Sequence, residues 1–247
     1  MFFQKIKSYF QASQKHYSDI PLDECVHYCA FRYTSKFCPP YERYIRKLHQ
    51  GQKEFAANCF IEFLRYYRPA SMQEALGIKN PMRQTALWRY PWDYNVNVNN
   101  LSVGWSSDPN DVPDIMTHFS KEGILKFRIL EEFCWLENSY YNMKKYSFQD
   151  NRSKDSCRVL CLENIDGSHR FIVQNGNHRI AALSCLGKKS IKAEITRVVK
   201  IKDLKKWSGV TTNAFSFSEA QMIFNAYFQD KFHDRTTSEP AKIIEDI

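Results

Sequence analysis

No apolar run in this chain approaches the roughly 20 residues that a membrane-spanning helix needs, and no segment repeats or falls into low-complexity sequence. An integral helical membrane protein and a solenoid are therefore not expected, while the polar tail, Asp234 to Ile247, is expected to be loose. The start, Met1-Phe2-Phe3-Gln4-Lys5-Ile6-Lys7, lacks the continuous apolar stretch and small-residue cleavage site of a secretory signal, which makes the cytoplasm the expected location. Phe2, Phe3, Ile6 and Phe10, interleaved with Lys5 and Lys7, fit a terminal helix packed on the body or one lying on a membrane surface, so peripheral membrane association stays open. The cysteines, at 25, 29, 38, 59, 134, 157, 161 and 185, lack the spacing of a small disulfide-stapled domain and are expected to be reduced thiols. Cys25, Cys29 and Cys38 with His27 also lack the spacing of a zinc ribbon or finger, and no metal site is expected from them.

Acidic residues are in deficit: 27 Asp and Glu stand against 35 Lys and Arg, a formal charge of +8. That balance favours anionic partners such as nucleotides, phosphosugars, nucleic acid or an acidic membrane surface, without ranking them. The chain of 247 residues, 43% hydrophobic and 15% aromatic, has ample material for a core and is expected to be globular.

Periodicity divides the chain into a helix-rich part, residues 1–79, and a mixed part, residues 80–247. Helices are predicted over 41–49 and 54–66, and a short one begins after Pro69 and Ser71 and stops at Gly77. From Asn80 to Asn110 the prolines and the run Asn95-Val96-Asn97-Val98-Asn99-Asn100 predict irregular or short-strand structure. A long helix is predicted over 120–146, with Ile124, Phe127, Leu130, Phe133 or Cys134, and Tyr140 or Tyr141 on its inner face. A terminal helix over 217–228 is expected to begin at Ser218.

The most informative segment is Phe171-Ile172-Val173-Gln174-Asn175-Gly176-Asn177-His178-Arg179-Ile180-Ala181-Ala182-Leu183. An apolar strand passes through a polar glycine turn into a helix, and the free N–H groups at a helix start attract anions. Upstream, Arg158 to Leu162 and Arg170 to Val173 flank the hairpin signal Ile165-Asp166-Gly167. Downstream, Gly187 is placed to stop the helix, and Ile191, Ala193 and Ile195 alternate with polar residues as a strand would. The expected class is α+β, a small mixed sheet packed by the helix from His178 to Leu186.

This order, with the words Asn-Gly-Asn-His-Arg-Ile-Ala-Ala-Leu and then Leu186-Gly187, resembles the ParB/sulfiredoxin-like superfamily over roughly residues 120–197. Within it, Tyr67-Arg68-Pro69, Glu74-Ala75-Leu76-Gly77 and Pro91-Trp92 resemble words carried by uncharacterised bacterial members associated with surface-polysaccharide gene clusters. The resemblance implies a ParB/sulfiredoxin-like sheet in residues 80–247 and a phosphate- or nucleotide-binding turn at Asn175, Gly176, Asn177, His178 and Arg179. Sulfiredoxin-like members carry a nucleophilic cysteine immediately before His-Arg; here Asn177 stands there, and a neutral amide cannot attack phosphorus. A ParB-type DNA-binding module is not evident in the roughly fifty residues after Arg197.

Related members phosphorylate a small hydroxyl compound, so the resemblance implies an ATP- or other nucleotide-dependent kinase acting on a sugar or similar acceptor, with Mg²⁺, in surface-polysaccharide biosynthesis. The alternative is a non-catalytic nucleotide-responsive or nucleic-acid-binding protein that uses the same cradle. For catalysis, Asp93 and Glu131 lead the candidate bases, ahead of Asp108, Asp111, Asp114 and Glu132, and His178 stands at the turn itself. Arg89, Trp92 and His118 are the candidate substrate-binding residues, because aromatic faces and cations suit bases and sugars. Each has a bland counterpart: His178 as a helix-capping group, Arg179 in an ion pair, Asn175 as a turn residue, and the Tyr90-Pro91-Trp92 run as core packing.

Overall fold

The hairpin and crossover predicted from local pattern form the centre of a five-stranded mixed sheet in the order β1-β5-β3-β4-β2. The computed structural model describes residues 17–35, 38–66, 69, 71–79, 81, 85, 89–93, 126–147 and 156–229. Strand β3 (Cys157–Glu163) and β4 (His169–Asn175) pair antiparallel, and β5 (Ser190–Lys200) runs parallel to β3. The β3–β4 reversal is the expected one: Gly167 takes φ +81 and the Ser168 N–H is held by the Asp166 carboxylate at 2.9 Å. Both edges come from far upstream, in the part expected to be helix-rich. β1 (Tyr17–Pro21) adds antiparallel to β5 with Ile20 opposite Ile191, and β2 (Cys25–Val26) adds parallel to β4. The sheet therefore needs both parts of the chain.

Helix α1 (Pro40–His49) starts with proline at its first position and buries Tyr41, Tyr44, Ile45 and Leu48, spaced for one face. It is followed by α2 (Lys53–Tyr66) and by the single turn α3 (Met72–Ala75), whose Ser71 cap accepts the Glu74 N–H. Helix α4 covers Lys126–Tyr146. Its buried stripe includes the expected Phe133 and Tyr140 but not the expected Leu130. Glu132, Leu136 and Tyr140 are buried and Ile129, Phe133 and Met143 pack against the core, whereas Leu130, Cys134 and Tyr141 are exposed. A carboxylate within the stripe is what misdirects a reading by hydrophobicity.

Helix α5 (Asn177–Cys185) follows β4 directly, buries Ile180, Ala181, Ala182 and Leu183, and lies against α1 and α4. Gly187, at φ +73, closes it as expected. After β5, a 3-10 turn (Ile201–Lys206) and the short α6 (Ser208–Thr211) lead to α7 (Phe217–Ala226). The cap of α7 is Ser216 in place of the expected Ser218: its hydroxyl accepts the Glu219 N–H while the Glu219 carboxylate accepts the Ser216 N–H, a full capping box.

All eight cysteines are free thiols. Among the described residues no helix is long and apolar enough to cross a membrane, and no group of three His, Cys, Asp or Glu side chains is placed to hold a metal ion. The N-terminal segment 1–16, the stretch 94–125 with Trp105, Asp108, Asp111, Asp114 and His118, and the tail from 230 lie outside the described residues.

The observed face of α4 makes a direct prediction. Leu136→Ala, which empties a fully buried site, should lower stability by about 2–5 kcal/mol, while Leu130→Ala on the exposed face should stay within about 0.5 kcal/mol. Urea unfolding midpoints of the two variants measure this, and equal losses would contradict the helix orientation.

Candidate functional site

The turn from β4 into α5 occupies one residue. Gly176 takes φ +102, a left-handed conformation that costs other L-residues roughly 1–2 kcal/mol. Space gives a second reason for glycine: a Cβ at this position would lie 2.5 Å from Cys157 Sγ on the neighbouring strand and 3.3 Å from Arg179 Nη2. The latter distance also locates the Arg179 guanidinium, folded back over the turn. Among the described residues Arg179 makes no hydrogen bond or ion pair, and the backbone N–H groups of Asn177, His178 and Arg179 have no acceptor; the first α5 amide to find one is that of Ile180, which donates to the Gly176 carbonyl at 2.9 Å. Three free donors, the positive end of the helix dipole and a cation thus converge on one spot.

Side chains from three other elements wall this spot. The Tyr33 hydroxyl, on the loop after β2, donates to Asn177 Oδ1 at 2.7 Å, which leaves the Asn177 amide N–H₂ as a further free donor among the described residues. From α4, Glu132 Oε1 lies 2.5 Å from His178 Nε2, with the carboxylate side chain 4% exposed and the imidazole 25%. Tyr41 of α1 meets the His178 ring edge-on at 5.2 Å, and Trp135 of α4 lies nearly parallel to it at 6.5 Å between centroids.

At the far end of α5 a second buried carboxylate, Glu42 of α1, accepts from Ser184 Oγ at 2.6 Å, from Arg46 Nη2 and from the Thr34 N–H. Thr34 sits at φ +65, a strained conformation for a β-branched residue that the carboxylate holds in place. The strain lies beside Tyr33, the residue that reaches the turn.

Cys157 stands directly behind Gly176 but is fully buried. Burial pushes its thiol up to about 11, against the opposing pull of Arg179. It is a protonated space-filler at neutral pH rather than a nucleophile. Because its folded value lies above the ordinary value of 9.0, the stability it contributes is present below pH 9 and is lost as pH rises through about 11.

The expected site residues separate into two groups. Asn175, Gly176, Asn177, His178 and Arg179 are together, all half-buried around the turn. Glu131 is exposed on α4, and its neighbour Glu132 is the carboxylate that reaches the site. Asp93 lies elsewhere: it accepts from the Tyr90 N–H at 3.0 Å and pairs with Arg197 Nη2 at 3.2 Å. Burial raises its carboxyl above the usual range, against the pull of the Tyr90 amide and Arg197. Arg197 also donates to the Trp92 carbonyl, fastening the 89–93 segment to β5. Trp92 is 5% exposed, stacked on Tyr90 at 5.1 Å and edged by Trp207, Phe224 and Tyr227. Its faces are occupied by core. Arg89 is exposed at the start of that segment, and His118 is outside the described residues. Tyr33, Tyr41 and Trp135 were not legible as site residues, because aromatic residues of this kind are indistinguishable from core in a linear pattern. Glu132 was among the expected candidate bases, ranked below Glu131.

The chain matches no protein-family model and no curated protein.

Gly176→Ala should destabilise the fold by at least about 1–2 kcal/mol from the backbone conformation alone, with the overlap on Cys157 added. Removing Sγ in Gly176→Ala/Cys157→Ala should recover part of that loss, giving a coupling of about 0.5–3 kcal/mol between the two positions. A double-mutant cycle read by thermal unfolding measures it. Simple additivity would mean that the two residues do not share the space.

Proposed function

We propose that the chain holds a nucleotide by its phosphates at Gly176–Arg179 and transfers a phosphoryl group to a sugar or other small hydroxyl compound. The observation that carries this reading is the set of amides of Asn177, His178 and Arg179, without an acceptor among the described residues, beneath the Arg179 guanidinium. Such an array suits a tetrahedral anion, whose several oxygens match several convergent donors, better than it suits a neutral ligand. The formal charge of +8 supports an anionic ligand in the same sense. The resemblance of the turn and its flanking elements to ParB/sulfiredoxin-like proteins supports nucleotide phosphate in particular, and the words shared with members from surface-polysaccharide gene clusters support a sugar-type acceptor.

Sulfinate-reducing chemistry of the sulfiredoxin type is not proposed. Asn177 occupies the nucleophile position, and the nearest thiol, Cys157, is buried with its ionisation suppressed. Mg²⁺ enters such reactions mainly on phosphate oxygens and water, with one or two carboxylates; the described residues supply no cage of three ligands, so no protein ligand is assigned to it. What this chain's residues do is bind and orient: the amides and Arg179 fix the phosphates, and Asn177 adds its N–H₂ because Tyr33 engages its oxygen.

Two substitutions test the cradle. Arg179→Ala should weaken ATP binding by about 1.5–3 kcal/mol, the loss of a charge-assisted contact. Asn177→Asp should weaken it through like-charge repulsion, with part of the loss restored at higher salt. Calorimetric titration with ATP reads both, and parent-like affinity in Arg179→Ala would place the phosphates elsewhere. Nucleotide consumption with a panel of sugars, sugar phosphates and amino acids then reads transfer. Tight ATP binding without consumption would favour the nucleotide-responsive alternative, and oligonucleotide binding that falls steeply with salt would favour nucleic acid.

A further inference from the structure

Glu132 is the polar member of an otherwise apolar helix face, 3% exposed between Ile129, Phe133 and Leu136. A carboxylate in such a position is costly unless it is paired, and its partner is the imidazole of His178, with Oε1 2.5 Å from Nε2. Tyr41 at the ring's edge and Trp135 along its face restrict its rotation. An ionised carboxylate only accepts, so Nε2 carries the hydrogen of this bond, and in the neutral imidazole Nδ1 is left with a lone pair. Among the described residues Nδ1 has no hydrogen-bond partner. Four covalent bonds join Nδ1 to the His178 amide nitrogen, so it stays within about 5 Å of one of the free amides at the turn. A bare basic nitrogen is thereby fixed beside the anion cradle.

We infer that Glu132 and His178 form a proton-accepting pair: His178 Nδ1 takes the hydroxyl proton of the acceptor, and Glu132 is the positioning residue that sets the tautomer. The assignment rests on the phosphotransfer reading above and names its base. In the step it describes, the acceptor O–H bond breaks and the proton passes to Nδ1. The freed oxygen pair forms the bond to the γ-phosphorus of the nucleoside triphosphate. The bond from that phosphorus to the bridging oxygen breaks, its electron pair leaves with the nucleoside diphosphate, and the imidazolium later returns the proton to water. Glu132 on α4 stabilises the imidazolium, Arg179 on α5 opposes it, and the phenol rings of Tyr33 and Tyr41 face the region.

Long-range ¹H–¹⁵N spectra of the full-length protein, with the His178 signals assigned by their loss in His178→Gln, test the pair independently of turnover. The parent should show hydrogen on Nε2 and none on Nδ1, and saturating ATP should shift the Nδ1 resonance. Glu132→Gln, whose amide oxygen can still accept from Nε2 but whose N–H₂ can equally donate to it, should convert the single tautomer to a mixture. In the transfer assay Glu132→Gln and His178→Gln should lower kcat by about 10²–10⁴-fold, with the ATP dissociation constant changed by no more than about twofold in Glu132→Gln. ATP that binds the parent without moving Nδ1, or a parent ring with its hydrogen on Nδ1, overturns the pair and leaves the cradle standing. Failure of ATP to bind the parent removes the phosphotransfer reading, and the base assignment goes with it.

Discussion

One backbone angle governs how this structure presents its chemistry. β4 ends at Asn175 and α5 begins at Asn177, so the whole change of direction falls on Gly176 at φ +102. A longer loop would leave room for side chains to cap the first amides of α5, as Ser71 does for α3 and Ser216 for α7. Here no side chain among the described residues caps the helix. The turn also presses against Cys157 so closely that no Cβ fits, which couples the helix start to the centre of the sheet. The same residue that makes the reversal possible therefore leaves the donors free.

Position along α5 is then set by two buried carboxylates, one near each end. Glu132 reaches His178 at the first turn and Glu42 reaches Ser184 near the last. Apolar packing alone tolerates small slides and rotations between helices, because contacts of similar area are available in many registers. A buried carboxylate does not, since a lost partner leaves an uncompensated charge. α1 and α4 are thus held to α5 at defined residues, and Glu42 extends the constraint to the loop through the Thr34 amide. That link places the Tyr33 phenol on Asn177, more than a hundred positions away in the chain.

What the sequence made legible was whatever local chemistry determines. The β3–β4 hairpin, the glycine turn, α5 and β5 follow from turn residues and from periods of two and 3.6, and the helices over 40–49 and 53–66 from the same patterns. The edge strands were not visible: β1 contains Ser18, Asp19 and Pro21, β2 has two residues, and both exist because β5 and β4 offer them an edge. On α4 the expected Phe133 and Tyr140 do face the core, but Leu130 does not, and the buried Glu132 gave no apolar signal of the face it lies on. Asp93 looked catalytic by its company of aromatics, yet its company in space is Arg197 and the Tyr90 amide, a structural pairing across about a hundred residues of chain. Pattern reading finds periodicity and turns; it does not find a carboxylate's partner.

The charge distribution at the turn shows why an asparagine there has chemical consequences beyond the loss of a nucleophile. Tyr33 donates to Asn177 Oδ1, which turns the side-chain oxygen away as a satisfied acceptor and leaves the N–H₂ end for whatever lies over the helix start. The first turn of α5 contains no acidic residue. The carboxylate that reaches it, Glu132, is engaged by Nε2 of His178 and not by Nδ1. The surface offered at the turn is made of donors, a cation and one lone pair. An anion meets attraction from every group but the last, and that lone pair suits the hydroxyl of a second, neutral molecule. On the proposed phosphotransfer reading, that division would give the phosphate and the group that attacks it separate places.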